Sequence, residues 1–439
     1  MARHLIIGMG AAGFSAAETI RQHCPDATIT LVTEEPYGYY SRPGLAYLLT
    51  NELPQSQLFP RSERELDRLG LERVTGRAVR LDLQARQVVL EDGRRLSYDA
   101  LLLATGAAAV PPPFPGANLP GVVTLDNLDD ARRILRLARK AKTAVVVGGG
   151  ITALEIVEGL RAQGVRVHYF LRRDRFWSSV LTPEESRLIE RRLTHEGVQI
   201  HYRTEIGQIL GKKDWRGRVK VAAVETKDGK LLRCQMVAVA IGVRPRLELV
   251  ADTPIRTDRG ILVNERLETS VPGVYAAGDV AQVVDPLTGQ AQLDVLWPVA
   301  VAQGRAAGAN MAGVPTVYRK GVPLNVTRLA GLVVTLIGAV GRRREPDGDL
   351  VTIARGDSEV WRGIPDVLVV HDEHEINRQR LVIKDNRLVG AVIVGDQTLS
   401  PLVQRLIAEQ VDIGPILPAL QSPHVPIAEV LRHFVQDGR

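Results

Sequence analysis

Apolar and polar positions fall into blocks that read as repeated strand–turn–helix units. Arg3 to Met9 is a short apolar run that predicts a buried strand, followed by small residues and a helical stretch through Arg21. Thr143 to Val147 begins the same plan again, with a helical stretch through Arg161. Each unit leads into a second predicted strand, Thr28–Thr33 and Arg166–Leu171. Further apolar runs at Leu101–Leu103 and Val237–Ile241 each end in a glycine-containing turn. Towards the end of the chain, short strands are expected at Arg380–Ile383 and Leu388–Val394, with a helix near Pro401–Gln410. The longest apolar run, Leu329 to Val340, is too short to span a bilayer and predicts a buried strand.

The turns between strand and helix carry the first chemistry. Gly8-Met9-Gly10-Ala11-Ala12-Gly13 opens the first helix, and Gly148-Gly149-Gly150-Ile151-Thr152-Ala153 opens the second, about 140 residues on. In such a turn the first glycine bends the chain and the second lets backbone approach a pyrophosphate. The third position, Gly13 or Ala153, lets helix and strand pack closely. The diphosphate then rests on the positive end of the helix. Gly8, Gly10, Ala12 and Gly13 are therefore candidates for one dinucleotide, and Gly148, Gly150, Ile151 and Ala153 for another. Small residues that only pack closely are the alternative, and two copies in the same context weigh against it.

A ribose carboxylate is expected just past the second strand of each unit. The first copy offers Glu34 and Glu35, which suits a free 2′-hydroxyl such as that of FAD. In the second copy Leu171 stands in the acidic slot, followed by Arg172, Arg173 and Arg175. Guanidinium groups pair with a 2′-phosphate, so this site leans to NADPH over NADH. A solvated turn in an arginine-rich chain is the other reading. Thr105-Gly106, Gly242 and the run Gly273 to Asp279 end further strands. Gly278 and Asp279 lie at such a strand end, where a carboxylate can accept hydrogen bonds from a ribityl chain. The fold expected is α/β, with two Rossmann-like dinucleotide-binding domains, the second inserted in the first, and a C-terminal α+β domain. The boundaries expected are 1–112 with 246–313 for FAD, 113–245 for NAD(P)H and 314–439 for the closing domain.

Composition changes this picture little. The chain has 439 residues, of which 45% are hydrophobic and 24% charged, an ordinary globular balance. Its length is that of two to four domains. Gly8 stands so near the start that no signal peptide is expected. Cys24 and Cys234 are the only cysteines, far apart and without ligand spacing, which excludes a disulfide scaffold, a zinc ribbon and a CxxC pair. Both read as packing residues, and a cytoplasmic setting is expected. The net charge is +6 and 47 residues are arginine, which reflects a compositional bias or a basic face for an acidic partner. No basic run is interleaved with aromatics, so nucleic acid is not expected. His371 and His374 form the one tight histidine pair, read as a solvated loop and not a metal site.

These residues resemble the FAD-dependent pyridine nucleotide–disulfide oxidoreductase superfamily over nearly the whole chain. The likeness rests on Gly8–Gly13, Ala104–Gly106, Gly148–Glu155, Ile241–Pro245 and Tyr275–Asp279. Tyr40-Ser41-Arg42-Pro43-Gly44-Leu45 is similar to a stretch of ferredoxin and rubredoxin reductases. Trp297-Pro298 through Gln303-Gly304 resembles the segment that covers the flavin in this group. The closing segment, including Leu388–Asp396, is similar to the carboxy-terminal domain of rubredoxin and nitrite reductase flavoproteins, which implies a homodimer. The resemblance also implies Pro43, Ala78 and Pro298 for FAD and Gly242 for NAD(P)H. It implies that Glu155 points to the flavin N5 edge and steers the nicotinamide, although an acid favoured by the helix dipole is the plainer reading. Arg42 is the candidate to place positive charge near the isoalloxazine, or else to bind the FAD pyrophosphate.

The departures are informative. Disulfide reductases and many NADH oxidases of this superfamily carry cysteine within the stretch that here runs from Tyr37 to Leu53, and none is present. Thiol chemistry needs a thiolate beside the flavin, so it is not expected. A lysine of the ferredoxin-reductase pattern is replaced by Tyr47. The leading expectation is hydride transfer from NAD(P)H to FAD N5, then electrons to a small, acidic iron–sulfur or rubredoxin-type carrier. An NAD(P)H oxidase or quinone reductase is the second reading. A flavin-binding structural or sensing subunit is the third.

Overall fold

A computed structural model describes residues 2–213, 217–286, 289–341, 355–356, 368–374, 377–422 and 425–437. The chain divides into two compact units. One comprises Met1–Tyr169 and Glu205–Lys320, with Arg355 and Gly356; the other comprises Phe170–Thr204 and the remaining described residues after Lys320.

The first unit is built on the duplicated plan. Strand Arg3–Ile7 lies between Thr28–Thr33 and Ala100–Leu103, all parallel, with Leu5 opposite Thr30 on one side and Leu101 on the other. Glu72–Thr75 and Val274–Ala276 complete this five-stranded sheet. Leu5, Ile6, Leu31, Leu101, Leu102 and Leu103 are buried, which is why these strands are continuous apolar runs and do not alternate. Around Thr143–Val147 the order recurs, with Arg166–Phe170 on one side and Met236–Val239 on the other, the latter paired to Val122–Val123. Each copy also carries a three-stranded antiparallel meander: Ala78–Asp82, Gln87–Leu90 and Arg95–Ser97 in the first, and Ile206–Lys213, Val219–Thr226 and Leu231–Arg233 in the second. A short antiparallel ribbon, Ala107–Ala109 with Val243–Pro245, joins the two chain segments that run between the copies.

Strands end slightly earlier than expected, at Ile7, Phe170 and Val239. At Gly8, φ is +111°, and a left-handed residue cannot continue a strand. Helix Ala11–His23 packs in parallel on helix Trp297–Met311. A Cβ on Gly304 would stand 2.2 Å from the Ala12 carbonyl oxygen, and one on Gly308 would stand 2.6 Å from that of Ala16. Helix Ile151–Ala162 meets helix Gly44–Leu49 as closely: Gly159 leaves no room for a Cβ beside Leu49, and Gln163 Nε2 donates to the Leu49 oxygen at 3.0 Å.

The second unit holds a five-stranded antiparallel sheet in the order Leu324–Leu329, Leu332–Gly338, Arg387–Val394, Asn377–Lys384 and Leu368–His374. Its core joins Leu381, Ile393, Val403, Leu406 and Leu431, the last three from helices Ser400–Ala408 and Ile427–Asp437. Helix Pro183–His195 starts in a capping box formed by Thr182 and Glu185. Glu185 is buried and accepts Arg380 Nε at 2.8 Å, while the same guanidinium donates to the Val340 and Val180 carbonyls at 2.7 and 2.9 Å.

Two expectations are corrected here. Leu329 to Val340 is not one strand: the chain turns through Ala330 (φ +48°) and Gly331 (φ +76°), so that Leu329 pairs with Leu332. Two consecutive left-handed residues make a tight hairpin turn that hydrophobicity alone does not reveal. His371 and His374 lie in strand Leu368–His374, not in a loop. Their side chains lie outside the described residues.

Replacing Gly304 by alanine puts a methyl group against backbone, which cannot step aside as a side-chain tip can. The variant is expected to lose about 1–3 kcal/mol of unfolding free energy, read from its midpoint in chemical denaturation.

Candidate functional site

The site is assembled at the carboxyl ends of the first parallel sheet, beside the strand Arg3–Ile7 where neighbouring connections diverge. A Cβ on Gly8 would stand 2.1 Å from the Ala104 oxygen, and one on Gly13 1.9 Å from the Gly8 oxygen. Strand, turn and helix are thus in backbone contact. A Cβ on Gly10 would meet nothing within 4 Å, so this side of the loop is open. The second loop repeats the geometry. Gly148 has φ +143° and leaves no room before the Ala240 oxygen, whereas Gly149 is open. Gly10 and Gly150 cap their helices without a side-chain hydrogen bond, and neither first turn contains an acid. Both helices therefore present unclaimed N–H groups and a positive end, which suits a diphosphate. Ala12, Ile151 and Ala153 lie buried in those first turns.

Three elements converge on Asp279. Gly278, at φ +79°, donates its N–H to Gln303 Oε1 at 2.7 Å, and its Cα faces the methyl groups of Ala12 and Ala300. The turn after strand Val274–Ala276 is thereby held against the start of helix Ala11–His23 and the first turns of helix Trp297–Met311, which contain Pro298. Burial raises the Asp279 carboxyl to about 6, opposed by the positive charges of Arg355 and Arg42. Burial likewise raises Glu155, in the first turns of the second helix, to about 6, opposed by Arg355. Among the described residues neither carboxylate has an ion-pair or hydrogen-bond partner on another side chain. A half-buried carboxylate with no side-chain donor fits a ligand that brings hydroxyls, such as a ribityl chain at Asp279. The open glycine loop and this carboxylate together fit FAD.

The other expected residues are placed as follows. Glu34 is exposed, 3.6 Å from Arg77. Glu35 is already engaged: it accepts the Arg42 guanidinium and the Tyr40 hydroxyl, the latter at 2.6 Å. Glu34 is thus the acid of the two with room for a ribose. Arg42 also donates to the Asp126 carbonyl at 2.8 Å, so its head group is fixed. Pro43 caps helix Gly44–Leu49, and Ala78 begins its strand. Thr105 Oγ1 donates to the Arg246 oxygen at 3.2 Å, and Arg246 N–H to the Gly106 oxygen at 2.9 Å. The Gly242 oxygen accepts the Val110 N–H at 3.0 Å. Thr105 thus secures the crossing ribbon by its hydroxyl, and Gly106 and Gly242 by backbone bonds. Arg172 and Arg173, in the second unit, are exposed just past strand Arg166–Phe170. Arg175 is folded back onto Asp174 and the Ser178 carbonyl. Burial pushes the Cys234 thiol up to about 12, and Cys24 Sγ contacts the Ala312 oxygen at 3.6 Å. Among the described residues no three His, Cys, Asp or Glu side chains gather as metal ligands would, and no helix is long and apolar enough to cross a membrane.

One cluster escaped the sequence reading. Asp126, 8% exposed, accepts Arg246 Nη2 on Oδ2 at 2.8 Å and Arg355 Nη2 on Oδ1 at 2.9 Å. Its carbonyl accepts Arg42 and Arg355, and its N–H donates to Asp130 Oδ2 at 2.9 Å. Arg246 directly follows the quoted run Ile241–Pro245, the one adjacency that could have drawn attention to it.

The model of the pyridine nucleotide-disulphide oxidoreductase family matches residues 2–304, and that of the rubredoxin NAD+ reductase C-terminal domain matches 356–411. The chain is 35% identical to rhodocoxin reductase of Rhodococcus erythropolis over 319 residues, covering 72% of this chain and 73% of that one. It is 29% identical to an NADH oxidase of Methanocaldococcus jannaschii, covering 92% and 90%. Among solved structures, a ferredoxin reductase from Rhodopseudomonas palustris superposes with a TM-score of 0.82 at 26% identity, over 94% of this chain and 96% of that one.

The raised carboxyls have a measurable sign. Both groups bind protons more tightly folded than unfolded, so their stabilising contribution is complete below about pH 4 and is lost as pH rises through about 6. In thermal melts of the apoprotein, Asp279→Asn should gain on the wild type progressively from pH 4 to 7. A constant difference between the two melting temperatures would show that Asp279 is not desolvated.

Proposed function

The chain belongs to the pyridine nucleotide-disulphide oxidoreductase family, and on that premise we propose that this oxidoreductase takes hydride from NAD(P)H onto FAD and passes electrons to a small iron–sulfur or rubredoxin-type carrier protein. The observation that carries the reading is the pair of open glycine loops on helix starts without a side-chain cap, together with two half-buried carboxylates, Asp279 and Glu155, that have no side-chain partner among the described residues. The similarity to rhodocoxin reductase and to a rubredoxin-NAD(+) reductase of Pseudomonas putida supports the carrier as acceptor.

FAD, when bound, supplies the hydride-accepting N5 and a route for the electrons onward. The chain's own residues bind and orient. Gly8, Gly10, Ala12 and Gly13 would seat the FAD diphosphate, Glu34 the ribose, and Asp279 the ribityl hydroxyls. Pro43, Ala78, Thr105, Gly106, Gly278 and Pro298 would line the same cofactor. Gly148, Gly150, Ile151, Ala153 and Gly242 would seat NAD(P)H, and Glu155 would orient its nicotinamide. Holding both ligands in register supplies the proximity on which hydride transfer depends. Arg42, fixed by Glu35 and the Asp126 carbonyl, would set positive charge beside the flavin. Exposed Arg172 and Arg173, with no acid in the preceding Leu171, favour NADPH through its 2′-phosphate.

The crossing ribbon of Ala107–Ala109 and Val243–Pro245 favours division into an FAD-binding domain of 1–112 and 246–313, an NAD(P)H-binding domain of 113–245 and a closing domain of 314–439. The reading includes a cytoplasmic homodimer. A second acceptor, molecular oxygen, is favoured by the similarity to the NADH oxidase across 92% of the chain. Oxygen consumption without added carrier separates the two.

Asp279→Ala should emerge without bound flavin, and a stoichiometrically yellow preparation of it would overturn the site. Arg172→Ala with Arg173→Ala should raise the KM for NADPH far more than that for NADH in anaerobic stopped-flow reduction. Turnover with an acidic iron–sulfur carrier should fall steeply between low and physiological salt, since steering between exposed charges is screened within about 8 Å at 0.15 M.

A further inference from the structure

The Asp126 cluster gathers three guanidinium groups, Arg42, Arg246 and Arg355, with the carboxylates of Glu35, Asp126 and Asp130, the last also under the charge of Arg355. Arg42 is paired with Glu35, and Arg246 and Arg355 share the single Asp126 carboxylate, one on each oxygen. Asp130 is engaged with the Asp126 N–H. Arg355 is anchored twice, to Asp126 Oδ1 at 2.9 Å and to its carbonyl at 2.7 Å, and its side chain is 22% exposed. A guanidinium held by a carboxylate and a carbonyl is fixed in direction as well as place.

We propose that Arg355 is a positioning residue of the hydride-transfer site: held on Asp126, it supplies positive charge that acts on the carboxylates of Glu155 and Asp279 and would act on a flavin bound beside them. This rests on the function proposed above. Glu155 leaves few other candidates for such a charge. The strands Thr143–Val147 and Met236–Val239 beneath its helix carry no ionisable side chain. Helix Gly44–Leu49, packed against it, carries only the exposed Tyr47, and its own helix carries Glu158 and Arg161. The charges that act on Asp279 are those of Arg355, Arg42 and Asp126. The charge of Arg355 opposes the effect of burial at both carboxylates, keeping Glu155 ionised to lower pH than burial alone would allow. The same charge favours the more negative, reduced state of a flavin held nearby.

The test uses the holoenzyme with Arg355→Met, Arg355→Gln, Arg355→Lys and Arg246→Met. Two quantities are read: the pH dependence of anaerobic flavin reduction by NADH, and the midpoint potential of the bound flavin by spectroelectrochemistry. Both neutral variants at Arg355 should move the acid limb of the reduction profile up by about one pH unit and make the flavin potential more negative. Arg355→Lys should restore both. Arg246→Met loosens the same aspartate without removing the charge that acts on Glu155, so its limb should stay in place. Arg355→Gln keeps a donor for the Asp126 carbonyl, which leaves a folded neutral variant if Arg355→Met does not fold. If the neutral variants keep the wild-type limb and potential, or if Arg355→Lys behaves as they do, the proposal fails. A wild-type protein that holds no flavin, or whose flavin NAD(P)H does not reduce, instead sinks the function on which it rests.

Discussion

Backbone-to-backbone contact between two parallel helices governs the geometry of the first unit. Gly304 and Gly308 let helix Trp297–Met311 lie against the carbonyls of Ala12 and Ala16, and no side-chain repacking can substitute for that approach. The contact places Gln303 where it accepts the Gly278 N–H, and so fixes the turn that carries Asp279. It also sets the first turns of both helices beside that turn. The positive helix ends and the placement of the Asp279 carboxylate are therefore consequences of one steric condition.

Much of this was readable in the sequence because it is locally encoded. The glycine spacing of Gly8–Gly13 and Gly148–Ala153 answers a steric need within six residues, and the strands before them are apolar throughout because both faces are covered. What was misread has equally physical grounds. Leu329–Val340 contains a two-residue turn whose sign lies in backbone torsion, not in hydrophobicity. Glu34 and Glu35 look equivalent in sequence, yet Tyr40 and Arg42 claim only Glu35. The Asp126 cluster was invisible because Arg355 lies 229 residues away, and no periodicity connects such positions.

The arginine excess also takes on a different meaning. Arg21 donates to the carbonyls of Leu69, Ala27 and Gly70, Arg380 to those of Val340 and Val180, and Arg42 to that of Asp126. A planar head group with five donors can satisfy several backbone acceptors at once, which lysine cannot do in a fixed fork. Part of the positive composition is thus internal fastening and contributes little to a surface field. The charge that could steer an acidic partner is carried by the exposed remainder, so net charge alone overstates it.

The stretch from Tyr37 to Leu53 shows how the chemistry has been narrowed. A thiol there would have to be ionised and free to form a bond with sulfur. This stretch instead holds Arg42, locked between Glu35 and Asp126, and helix Gly44–Leu49, whose close approach to helix Ile151–Ala162 is permitted by Gly159. A guanidinium cannot act as a covalent relay, and Cys234, buried with its thiol raised to about 12, cannot replace one. Under the proposed function, electrons would then leave the flavin directly for the acceptor, and the fixed charges around the ring, not a second redox group of the chain, would set how readily they go.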